Sequence, residues 1–129
     1  MGLEDGARCP CLSGDVYGDC CGRFHSETAV PATAEALMRS RYSAFAVGDA
    51  AYLLRSWHPS TRPRRLDLDP EQRWTRLDVL ATTGGGPFET EGTVEFVAHY
   101  VVDGHRDSLR EHSRFRRVDG RWLYLDAIV

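Results

Sequence analysis

Apolar residues recur at helical spacing from Ala34 to Phe45. At about 100° per residue, Ala34, Leu37, Met38, Arg41, Tyr42 and Phe45 fall on one side, with Arg39, Ser40 and Ser43 opposite. Thr33 is placed to cap the first turn, Glu35 suits the positive end of the helix dipole, and Gly48 supplies a stop. A helix from Thr33 to about Val47 follows. A second, opened by Asp49, is expected from Ala50 to Trp57, ended by His58-Pro59. Both are read as covering one face of a sheet. Residues 60–73 are polar, with Arg62, Arg64 and Arg65 balanced by Asp67, Asp69 and Glu71, and read as a solvated loop.

From Trp74 the period changes to two. Strands are expected at Trp74–Thr82, with Leu77, Val79 and Ala81 alternating, and at Thr90–Val102, with Val94, Phe96, Ala98, Tyr100 and Val102 on one face. His105–Val118 and Arg121–Ile128 follow, joined by the hairpin signals Asp103-Gly104 and Asp119-Gly120. Gly84-Gly85-Gly86-Pro87 reads as a turn; it lacks the Lys and the strand-to-helix context of a phosphate loop. Two helices before a four-strand antiparallel meander make the fold class α+β.

The first 25 residues follow neither period and hold too few large apolar side chains to build a core. They hold instead all four cysteines, as Cys9-Pro10-Cys11 and Cys20-Cys21. Bridges within either pair would be strained, and crossed disulfides suit an exported chain. A tetrahedral ion explains the spacing better: two close thiolate pairs joined by a Ser13-Gly14 turn can surround one Zn²⁺ at about 2.3 Å per bond. Tyr17 is placed to shield it. His25 is a competing ligand for Cys21, and four thiolates accept iron as well as zinc.

Composition narrows the function classes. The chain has 129 residues, 42% hydrophobic and 27% charged, with net charge −3. That suits one core and contains no membrane-span-length apolar run. Met1–Arg8 lacks an export signal's apolar stretch, so a cytoplasmic location is expected. All 16 basic residues are Arg, a usage attributed to a GC-rich genome. Residues 1–25 carry two Arg against four Asp and Glu. Four thiolates on one dication add further negative charge, so nucleic acid is not an expected partner.

Arg41 lies inside the apolar stripe, and Leu109, Glu111, Ser113 and Phe115 share a strand face. A buried Arg needs a carboxylate or a cavity. Glu111 is therefore the expected partner of Arg41, first as an ion pair, next as half of a pocket-lining pair with Tyr42 or Trp57 in the wall. Catalysis ranks last: it would need a second group, for which His58 is the candidate. His99 and His112 read as ordinary strand histidines.

Cys-x-Cys, eight residues, Cys-Cys resembles the SEC-C motif, a zinc knuckle of several bacterial proteins. The run Cys9-Pro10-Cys11-Leu12-Ser13-Gly14, Tyr17, Cys20-Cys21-Gly22, Phe24-His25 resembles the YchJ-like family of uncharacterised bacterial proteins. So do Leu37–Phe45, Tyr52-Leu53, Trp57-His58-Pro59, Glu111–Phe115 and Gly120–Tyr124. That family usually has Gly where this chain has Leu12, which suggests a left-handed backbone there. The resemblance implies a knuckle at 1–28 and a nuclear-transport-factor-2-like cone at 33–129, a curved sheet wrapped on helices around a pocket. On this basis the leading expectation is a zinc-binding adaptor that contacts a protein through its knuckle. The alternative is a small-molecule-binding or acid/base domain using the pocket, with the knuckle purely structural.

Overall fold

The computed structural model describes residues 3–128; Met1, Gly2 and Val129, where the two expected regions begin and end, lie outside the described residues. Four strands, β1 (Arg73–Gly84), β2 (Glu91–Val102), β3 (His105–Val118) and β4 (Arg121–Ile128), pair antiparallel in chain order. The two Asp-Gly turns sit at φ 51° and 75°, and at 51° and 79°. These are the left-handed values that a two-residue hairpin requires. Val94, Phe96 and Ala98 of β2 point inward as the period predicts. In β1 the alternation fails after Leu77: a bulge between Val79 and Ala81 shifts the phase and leaves Ala81 exposed. The outer face carries ion pairs, among them Arg110–Glu95 and Arg114–Asp126.

A 3₁₀ turn (Tyr17–Asp19) and a short helix α1 (Cys21–His25) precede α2 (Ala34–Val47) and α3 (Ala50–Arg55). The α2 ends match expectation: Thr33 Oγ1 accepts from Ala36 N–H at 3.0 Å, and Gly48 closes the helix at φ 78°. Gly85 anchors its start, because its carbonyl accepts from Ala34 N–H at 2.9 Å. A Cβ on Gly85 would fall 2.7 Å from that of Ala34. The glycine turn thus docks a helix against the sheet.

The predicted end of α3 is corrected. The helix stops at Arg55 because the chain there joins the sheet: Ser56 O accepts from Tyr124 N, Tyr124 O accepts from His58 N, and Trp57 bridges Tyr124 in parallel. The predicted polar side of α2 is also corrected. Ser40 and Ser43 are fully buried, since the cysteine segment and α1 cover that flank. Cys9, Cys11, Tyr17 and Cys21 join Leu37, Met38, Tyr42, Phe115 and Trp122 in one buried cluster. Among the described residues no helix is long and apolar enough to cross a membrane.

Candidate metal centre and ligand cavity

A short loop brings the cysteines together. Cys9 N–H donates to Asp15 O and Leu12 N–H to Cys9 O, while Arg8 and Val16 form a bridge that closes the loop. Leu12 sits at φ 61°, the left-handed backbone that a glycine at this position suggests. Gly22 is required sterically, because a Cβ there would lie 2.6 Å from Tyr17 O. The four sulfurs lie within 4.8 Å of one another, and every cysteine is a free thiol. Cys11 and Cys20 sulfurs are 3.6 Å apart, those of Cys20 and Cys21 4.0 Å. A tetrahedral ion with bonds of about 2.3 Å separates its sulfurs by about 3.8 Å. The spacing therefore suits a metal and is far too long for disulfides.

The thiols cannot all ionise unaided. Hydrogen bonds from Cys11 and Cys21 hold Cys9 far below the usual thiol range, while the same contacts and burial push Cys21 up. A bound cation would replace the remaining protons. Neighbours fix the cage: Ser43 Oγ shares a hydrogen bond with Cys9 Sγ at 3.7 Å, Ser13 Oγ lies 3.2 Å from Cys20 Sγ, and Arg39 Nη1 donates to Cys11 O at 3.3 Å.

His25 is not part of this cluster. Its Nε2–H donates to Ser40 O at 2.8 Å and its Nδ1 meets Tyr17 OH, so both ring nitrogens are engaged. Burial lowers its pKa and favours the neutral ring. His25 thus ties α1 to Ser40 of α2, while Tyr17 packs directly with Cys9, Cys11 and Cys21.

Across α2 lies a cavity of about 210 Å³, walled by aromatic and apolar residues that include Tyr42, Trp57, Trp74 and Phe96. Arg41 and Glu111 both line it. The expected ion pair between them is not formed among the described residues. Arg41 Nη1 donates to Leu53 O at 2.8 Å and to Ser56 Oγ at 2.6 Å. The guanidinium stacks over Tyr124 and Trp57, at 4.6 and 5.0 Å from the ring centres. Burial pulls its pKa down to about 10. Glu111 Oε2 accepts from Ser113 Oγ and, at 3.2 Å, from Tyr124 OH.

His58 does not line the cavity; its Nδ1 accepts from Ser60 N–H at 3.1 Å. The suggested Glu111–His58 acid/base pair is therefore not assembled. Sequence reasoning placed Ser113 on the strand face of Glu111 but gave neither it nor Tyr124 a role, and it missed Ser56. The signal for Ser113 was that shared face, and for Tyr124 its two-residue spacing from Trp122.

A family model described as "YchJ, middle NTF2-like domain" matches residues 33–127, and one for the SEC-C motif matches residues 7–23. A UPF0225 protein of Streptomyces coelicolor is 60% identical over 119 residues, covering 92% of this chain and 93% of the relative. One from Corynebacterium glutamicum is 54% identical over 121 residues, covering 92% and 94%. The solution structure of a SEC-C motif containing protein from Rhodopseudomonas palustris superposes with TM-score 0.82 at 37% identity, covering 94% of this chain and 97% of that one. A crystal structure of a SEC-C motif containing protein from Psychrobacter arcticus gives 0.77 at 28%, covering 96% and 84%.

Proposed function

The chain belongs to the YchJ-like family of UPF0225 proteins, and from that premise we propose that it is a ligand-binding domain held together by a structural zinc centre. The observation that carries this reading is the cavity: a lined space beside a buried cation that no carboxylate pairs among the described residues. Zinc is favoured because Cys9, Cys11 and Cys21 are buried and inaccessible to substrate, as in a closed structural site. Iron in the same four-thiolate cage is the competing occupant. Among the described residues no histidine lines the cavity beside Glu111, and binding without turnover is the favoured role. A fragment screen by ligand-observed NMR on the metal-loaded protein tests this. Binders that also shift the indole resonances of Trp57 and Trp74 in protein spectra support it; no binder at millimolar concentration would count against it.

A second reading keeps the knuckle as a contact surface for a protein. Leu12 and Val16 favour it, since these apolar side chains beside the thiols are 47% and 40% exposed. Cross-linking with native protein and with the Leu12→Ser/Val16→Ser double variant separates the readings. A partner lost only in the variant supports a contact role.

A further inference from the structure

Arg41 is the least conventional residue in the molecule. It is 4% exposed, yet among the described residues it makes no salt bridge. Both protein hydrogen bonds leave from Nη1, so the Nε and Nη2 hydrogens have no described acceptor. A buried cation without an anionic partner is costly, and the planar fork of a guanidinium matches a carboxylate. Glu111 does not fill this place: among the described residues it forms no ion pair or hydrogen bond with Arg41, and its Oε2 accepts from Ser113 and Tyr124 instead. The same wall holds two more polar hydrogens without a partner, on Trp57 Nε1 and Tyr42 OH.

The rest of the lining is flat and apolar, with Trp74 and Phe96 as its largest members. A dry cavity of ~150 Å³ accepts benzene. At about 210 Å³ this one has room for a ring with one substituent.

We propose that the occupant is a small aromatic monocarboxylate, its ring between the aromatic walls and its carboxylate on Arg41. This rests on the ligand-binding reading above and adds the chemical class. It requires no chemistry: the acid binds ionised and leaves unchanged.

The test is titration of the metal-loaded full chain with benzoate, benzamide and toluene, followed by NMR and calorimetry. Benzoate is expected to bind at least ten-fold more tightly than either neutral analogue. Arg41→Lys, which keeps the charge and removes the fork, is expected to reduce that preference several-fold. Trp57→Phe keeps the wall and guards against loss of folding in the Arg41 variant; it must still prefer benzoate. Equal binding of benzamide or toluene overturns the carboxylate assignment and leaves the ligand-binding reading standing. Failure of all three probes to bind overturns both. Benzoate binding that does not perturb Trp57 or Trp74 resonances overturns the assignment to this cavity.

Discussion

The two flanks of α2 are ordered by different physics. On one, Phe96, Ala98 and Phe115 bury apolar area against Leu37 and Met38, as in most domains. On the other, residues 3–25, with little apolar surface, are gathered around four sulfurs, and Ser40 and Ser43 face them instead of water. One helix can carry a thiol-rich segment on its supposedly polar side, continuous with the apolar core on the other, only if the serines between them are satisfied internally. Ser43 reaches Cys9, Ser40 Oγ reaches Tyr52 OH at 2.7 Å, and Ser40 O accepts from His25.

The largest expected effect separates the flanks. A structural four-thiolate zinc site contributes on the order of 10 kcal/mol of apparent binding free energy. Chelation, or Cys9→Ser, should therefore strip hydrogen-exchange protection from residues 7–25 while the paired centre of β2 and β3 keeps it. Unchanged exchange in residues 7–25 would break the comparison. Phe115→Ala attacks the other flank: a residue 2% exposed should cost about 3–5 kcal/mol in denaturant unfolding. Metal content should stay at its native value, and loss of metal would mean the flanks fold as one unit. Thr33→Ala removes the cap shared by both, and should cost about 1 kcal/mol in the same assay.

The smallest effect is a pH dependence. Burial depresses the pKa of His25, so folding favours its neutral form. The unfolded chain gains a proton as pH falls below about 6.5, and the folded chain gains it later. The contribution is complete above that pH and is lost as pH falls toward the lowered folded value. The native chain should lose stability more steeply than His25→Gln between pH 6.5 and 5, measured by thermal unfolding. Parallel curves would show that His25 is not the responsible group.

These contrasts also explain what the sequence disclosed. Caps and hairpins are local chemistry, so Thr33, Gly48 and the two Asp-Gly pairs were legible. The clustering of Cys9, Cys11, Cys20 and Cys21 into a set able to hold a metal was legible because thiolate spacing is itself a geometric constraint. Ser40 and Ser43 were misplaced because a helical wheel assumes one covered face, and nothing local announces a second cover. The phase of β1 was lost at a bulge that residue type does not encode. Arg41 was recognisable as anomalous from its place in an apolar stripe. Its acceptors were not, since Leu53 O is a backbone group freed at the end of α3.

On the reading proposed above, a metal on the four thiolates organises residues 3–25. Native mass spectrometry of protein purified without added metal reads this out. One zinc per chain is expected, lost on acidification together with a shift to an expanded charge-state distribution. A metal-free chain that keeps the compact distribution with four free thiols would contradict it.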